Sequence, residues 1–158
     1  MPSIKKVDPK IPREMTAKKH MTDVAVGVLV RPSDNAFLLT TRPLGKPYAG
    51  YWEFPGGKLE SGETALEALG RELNEEIGIH VQEAVLWRQD MFDYPHALVR
   101  LQFCLVTQWL GDIEVRENQA FKWCELPVTV RPLLPGTFPV LDWLAQERGF
   151  KDPVAEDH

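Results

Sequence analysis

Three glutamates, Glu72, Glu75 and Glu76, with Arg71 just ahead of them, form the spacing in this chain that points most directly to chemistry. On an α-helix, at about 100° per residue, the three carboxylates share an arc of about −60° to +40° with the small residues Ala65 and Ala68. Like charges at i, i+3 and i+4 repel one another and weaken a helix. Residues 64–77 contain no lysine, and Arg71 is their one cation. A divalent cation that prefers hard oxygen donors, Mg²⁺ or Mn²⁺, would compensate the repulsion. On the carboxylates alone, an acidic face open to solvent is the alternative.

A helix must carry these residues, and the sequence provides its ends. Thr64 and Glu67 form a capping box, and Gly78 stands where a helix commonly terminates in the left-handed conformation. Leu66, Leu69, Leu73 and Ile77 make a stripe at about 60° to 140° from Glu72, which predicts the face that packs on a sheet. Upstream, Val24 to Val30 is a short apolar, β-branched run expected as a strand buried on both faces, and Ala36 to Thr41 reads as its returning partner. Pro43 to Gly50 is a loop, and Pro55-Gly56-Gly57 demands a sharp turn. Downstream, Val81 to Phe92 and Ala97 to Trp109 read as a long strand pair. Phe121 to Cys124 is a short strand, and Pro139 to Glu147 is a closing helix.

The wider pattern is more specific than the helix. Gly57, five residues, Glu63, seven residues and then Arg71-Glu72-Leu73-Asn74-Glu75-Glu76-Ile77-Gly78-Ile79 fills every position of GX5EX7REUXEEXGU, where U is a bulky aliphatic. Seven fixed letters arise by chance at on the order of 10⁻⁸ per position with average composition. Each letter has a physical use. Gly57 allows a close backbone approach. Glu63 sits near the positive end of the helix dipole and can orient Arg71, which in turn can hold neighbouring carboxylates.

On these residues the chain resembles the Nudix superfamily, and within it the MutT-like nucleoside triphosphate pyrophosphohydrolases. Trp52-Glu53-Phe54-Pro55-Gly56-Gly57-Lys58, Tyr94-Pro95-His96 and Glu117-Asn118-Gln119 with Trp123 resemble that subgroup further. The resemblance spans about residues 22 to 147. It implies an α+β fold, an α/β/α sandwich in which a mixed sheet is flanked by the Glu-bearing helix and a C-terminal helix. It further implies Mg²⁺, with Mn²⁺ as a substitute, held by Glu72, Glu75, Glu76, Glu117 and the Gly56 carbonyl. Glu117 is a further ligand or the base. Arg71 completes the catalytic set, and Arg42, Glu53, Phe54, Pro55, Gly56 and Thr137 face the nucleotide. The reaction implied is hydrolysis of a nucleoside triphosphate to a monophosphate and pyrophosphate, with 8-oxo-dGTP as substrate. Two positions depart from the MutT-like pattern: Thr137 replaces an asparagine, and His96 replaces an aspartate. A hydroxyl both donates and accepts through one atom, with shorter reach than an amide.

Composition bounds the rest. Length (158 residues), apolar content (44%) and charged content (26%) suit one soluble domain. The net charge of −5 offers no basic footprint for stable nucleic-acid binding. No apolar stretch approaches a membrane span of about 20 residues, and no signal peptide is evident. A cytoplasmic protein, monomeric or homodimeric, is expected. Residues 1–21, with six lysines and arginines and three prolines, are expected as a flexible basic extension. Residues 22–150 then form the domain, and 151–158 a short tail. Cys104 and Cys124 fall in apolar runs and read as small buried hydrophobes. Tyr48, Trp52, Phe54, Tyr94 and Trp123 are aromatics able to stack on a base, of which one or two are expected to touch ligand. Two rival readings remain: a Nudix hydrolase of another diphosphate (a nucleotide sugar, a dinucleotide, capped RNA) and a non-catalytic nucleotide-binding module.

Overall fold

Side-chain alternation along one central strand organises the molecule. The computed structural model describes residues 4–6, 20–95, 97–116 and 119–147. Its strands are β1 (Ile4–Lys6), β2 (Met21–Leu29), β3 (Phe37–Thr41), β4 (Trp52–Glu53), β5 (Gly56–Lys58), β6 (His80–Asp93), β7 (Leu98–Leu110) and β8 (Phe121–Cys124). Among the described residues there are two α-helices, α1 (Ala65–Ile77) and α2 (Phe138–Glu147), α2 following a 3₁₀ turn at Pro135–Thr137. Successive residues of a strand point to opposite faces. Accordingly Ala25 and Leu29 of β2 join one buried cluster with Leu69, Leu73 and Ile77 of α1. Val26 and Val28 join a second cluster with Val140, Leu141 and Leu144 of α2. Residues 25–29 of β2 are thus covered on both faces, as the apolar run Val24 to Val30 predicts.

The strands form two sheets. A five-stranded mixed sheet runs β1-β6-β7-β2-β5, and a three-stranded antiparallel sheet runs β4-β3-β8. β2 pairs parallel with β7, and β6 pairs antiparallel with β7. The expected mixed sheet between two helices is therefore present, divided into two parts. The division passes through the glycine-rich turn. Trp52–Glu53 pairs with β3, whereas Gly56–Lys58 crosses to pair with β2, Gly56 opposite Val26 and Gly57 opposite Ala25. Gly57 is thus a strand residue, and the turn is the step between sheets. Within the stretch expected as an N-terminal extension, Ile4–Lys6 pair parallel with Met91–Asp93, and Met21 already belongs to β2.

The helix ends follow their sequence signals. The Thr64 side chain accepts from the Glu67 N–H (3.2 Å), and the Glu67 carboxylate accepts from the Thr64 N–H (2.9 Å). Gly78 ends α1 in the left-handed region, at φ 75°. The buried face differs from the expected stripe at one residue. Leu66 is 40% exposed, while Ala65 and Ala68 are buried. α1 packs closely on β2, where a Cβ on Gly27 would lie 3.1 Å from Leu69 and 3.2 Å from Leu73. Cys104 and Cys124 are buried and unpaired with each other, as expected. Among the described residues no helix is long and apolar enough to cross a membrane.

Candidate active site

Arg71 is the centre of a fixed charge network on the exposed side of α1. Its Nε donates to Glu63 Oε2 (2.8 Å) and its Nη2 to Glu63 Oε1 (2.8 Å), the two-pronged geometry that suits guanidinium and carboxylate. Nη2 also donates to the Lys58 carbonyl (3.0 Å), and Nη1 to Glu72 Oε1 (2.9 Å). Nη1 further lies 3.5 Å from Glu75 Oε2. The paired guanidinium and the Glu60 N–H hold the Glu63 carboxyl well down, at about 2. The same carboxylate raises Arg71 above its ordinary value. Glu63 therefore orients the arginine that orients Glu72.

Behind Glu72 stands Gly57. A Cβ added there would overlap the Glu72 carboxylate, so the glycine keeps open the space that carboxylate fills. Gly56 is equally constrained, since its Cβ would strike the Ala25 carbonyl of β2. Pro55 is buried, and its carbonyl accepts from the Gly27 N–H (2.7 Å), which locks the sheet-crossing step to β2.

A cleft of about 500 Å³ opens beside this network. Of the expected site residues, Arg42, Glu53, Phe54, Gly56, Glu72, Glu76 and Thr137 line it. Arg71, Glu75 and Pro55 do not. Glu75 projects outward with 58% of its side chain exposed, and Pro55 acts from behind the wall. Glu117 and His96 lie outside the described residues. The residues flanking positions 117 and 118 are tied down: the Arg116 N–H donates to the Glu76 carbonyl (3.1 Å), and Gln119 Nε2 donates to the Thr41 carbonyl (2.9 Å).

The rest of the lining is largely apolar and aromatic, with Val24, Val26, Val99, Leu101, Phe103 and Leu134 joining Phe54. Arg42 is braced by the Pro47 carbonyl (Nε to O, 2.7 Å) and by Glu53 (Nη1 to Oε1, 3.1 Å). Enclosure of the Glu53 carboxyl raises its pKa, against the opposing pull of Arg42. Of the five aromatics considered, Tyr48, Phe54 and Tyr94 reach the cleft. Trp52 packs on the α2-side core, and Trp123 stacks on Trp109 at 5.9 Å. Lys46 and Gly136 also line the cleft and were missed by sequence reasoning. Lys46 stands in a loop without periodicity, where no local signal marks it. Gly136 could have been suspected only from its place beside Thr137.

The donors at the acidic wall are all hard oxygens, the chemistry that suits Mg²⁺ or Mn²⁺. A donor set of this chemistry fits a divalent cation, and Gly57 leaves the Glu72 carboxylate its place at that wall. Among the described residues, no three His, Cys, Asp or Glu side chains are already gathered as a metal-holding group. Arg71 carries the counter-charge for Glu72 and Glu75 in this arrangement. A cation would have to compete with it.

The NUDIX domain profile matches residues 21–144. This chain belongs to the Nudix family. It is 41% identical over 107 residues to the 8-oxo-dGTP diphosphatase of Haemophilus influenzae, covering 68% of this chain and 78% of that protein. It is 32% identical over 123 residues to the CTP pyrophosphohydrolase of Escherichia coli, covering 77% and 90%. Among solved structures, the MutT NUDIX hydrolase of Burkholderia pseudomallei superposes with a TM-score of 0.71 at 26% identity, over 78% of this chain and 98% of that one. The Escherichia coli ORF135 protein gives 0.67 at 29% identity, over 84% and 96%. The chain is a Nudix hydrolase with the mixed-sheet, two-helix fold of these neighbours.

Proposed function

We propose that this Nudix hydrolase cleaves nucleoside triphosphates to a monophosphate and pyrophosphate, with 8-oxo-dGTP preferred, using Mg²⁺ held by Glu72, Glu75, Glu76, Glu117 and the Gly56 carbonyl. The observation that carries this reading is the lining of one cleft. Apolar and aromatic side chains that suit a base share it with Arg42, Glu53 and Thr137, and with Glu72 and Glu76 of the acidic wall. Its volume falls within the usual range of about 300–1,000 Å³ for small-molecule sites. A divalent cation bound at that wall supplies charge neutralisation on phosphate oxygens and activation of water.

The chain's own residues do the remaining work. Glu63 and Arg71 set the rotamer of Glu72, and Gly57 leaves that carboxylate its space. Phe54 and the valine wall exclude water from the base, and Arg42, fixed by Glu53 and Pro47, presents a guanidinium to the nucleotide. Thr137 offers a hydroxyl that both donates and accepts. The protein acts in the cytoplasm, as a monomer or homodimer.

The CTP pyrophosphohydrolase likeness supports a second reading, a pyrimidine triphosphate substrate, because it covers more of both chains than the diphosphatase match. Comparing kcat/KM for 8-oxo-dGTP, dGTP, dCTP and CTP, with products identified, decides between them. The highest value is expected for 8-oxo-dGTP. Equal values would refute that preference, and a maximum at CTP would establish the second reading. EDTA should abolish pyrophosphate release, and Glu75→Gln or Glu76→Gln should remove most turnover with Tm preserved. Wild-type kinetics in both variants would sink the metal assignment.

A further inference from the structure

Tyr94 has an unusually constrained place. It sits at the mouth of the β6–β7 hairpin, where its N–H donates to the Ala97 carbonyl (2.9 Å) and its carbonyl accepts from the Ala97 N–H (3.3 Å). Its ring lies between Phe92 (centroids 5.9 Å apart) and Tyr48, which it meets edge-on at 5.8 Å. Both backbone and ring are thus held, and the hydroxyl is delivered to one point. There it accepts from the Gly136 N–H at 3.2 Å, in a buried hydrogen bond.

Gly136 is the middle residue of the 3₁₀ turn Pro135–Thr137, and the next residue is Thr137, 2% exposed and facing the cleft. The turn is fastened at its start by the Leu134 N–H, which donates to the Trp52 carbonyl next to Glu53 (2.9 Å). The Tyr94 bond is its second fastening, reaching across from a different sheet. Position 136 has no space to spare. A Cβ there would lie 2.9 Å from Leu101 Cδ1 and 3.1 Å from the Tyr94 hydroxyl oxygen. Burial also keeps the phenol protonated, by raising its pKa.

We propose that Tyr94 is a positioning residue for base selection: its hydroxyl, through the Gly136 amide, fixes the turn that presents Thr137 to a purine edge bearing both a donor and an acceptor. This inference rests on the proposed nucleotide function and goes further, in naming what sets the geometry of Thr137. A hydroxyl has short reach, so a small displacement of the turn costs the contact. A base that makes no use of Thr137 is less affected.

The test is equilibrium binding of the monophosphates 8-oxo-dGMP and dCMP, by titration calorimetry, to wild type, Tyr94→Phe, Gly136→Ala and the double variant. The wild type should prefer 8-oxo-dGMP. Tyr94→Phe should lower that preference by about 3- to 10-fold, the worth of one neutral hydrogen bond. Gly136→Ala keeps its N–H, but the added Cβ would crowd the Tyr94 hydroxyl and Leu101 and so should lower the preference in the same direction by displacing the same bond. The double variant should lose no more than about twofold beyond either single change, because both disturb the same bond, one by removing its acceptor and the other by crowding it. An unchanged preference in Tyr94→Phe, equal weakening of both ligands, or fully multiplicative effects would overturn the inference. So would a wild type without preference for 8-oxo-dGMP. Should Gly136→Ala fail to fold, Tyr94→Phe alone decides. Binding is read separately from turnover: absent hydrolysis with the predicted binding pattern would sink the proposed reaction and leave this inference standing.

Discussion

At the scale of single residues, the site is held by what is missing as much as by what is present. Gly57→Ala would place a methyl group on the Glu72 carboxylate. Its expected effect is a loss of metal affinity of about 10- to 100-fold, the usual consequence of disturbing the groups that orient metal ligands. Titrating activity against Mg²⁺ would read this directly, and an unchanged Mg²⁺ requirement would contradict the role given to Gly57. The Glu63–Arg71 pair makes a separate prediction. Glu63 ionises at about 2 in the folded chain against an ordinary value of 4.5. Its folded pKa is depressed, so its contribution to stability is complete above pH 4.5 and fades as pH falls towards 2. The Tm gap between wild type and Glu63→Gln should therefore close across that window. A gap independent of pH would show that the pair contributes no charge-linked stability. Asp23, lowered by its hydrogen bond to Arg100, adds an acid sensitivity that the variant retains.

At the scale of elements, α1 was the most legible part of the sequence. Its cap, end and register all rest on local rules, and Thr64, Glu67 and Gly78 behave accordingly. Thr64→Ala should cost about 1 kcal/mol, measurable by urea unfolding, and a loss below about 0.3 kcal/mol would mean that the cap is redundant with tertiary packing. The exposure of Leu66 was not legible, because how much of a helical stripe the sheet covers depends on tertiary packing and not on spacing along the helix. The short strands β4 and β5 escaped for another reason: two or three residues carry no readable alternation. Glu72 and Glu76 of the acidic wall could be named because a fixed spacing on one helix places them. The base-side wall could be named only in part, since Lys46, Leu134 and Gly136 arrive from loops whose paths no local pattern dictates.

At the scale of the whole molecule, the cleft is a seam. Its lining comes from β2, β4, β5, α1, β7 and the turn before α2, so it borrows rigidity from both buried clusters. The α2 side is fastened to β6 by the Trp87–Trp143 edge contact at 5.8 Å and by the Arg88–Glu147 ion pair. Leu144 is fully buried in that cluster. Leu144→Ala should cost about 2–5 kcal/mol of stability. If the fold unfolds as one unit, chemical denaturation followed at Trp fluorescence and at far-UV dichroism should lose this amount together. Separated transitions would show that the two faces of β2 unfold independently.

The buried thiols carry one last consequence. Cys104 lies in the cluster under α1 and Cys124 in the cluster under α2, and burial pushes the first up to about 11 and raises the second as well. At neutral pH both are protonated and shielded, so neither is a nucleophile. Each layer of the protein thereby contains its own silent reporter: a chromogenic disulfide reagent should titrate no sulfur in the native enzyme and two in denaturant. The rate at which each becomes reactive would time the opening of its own side.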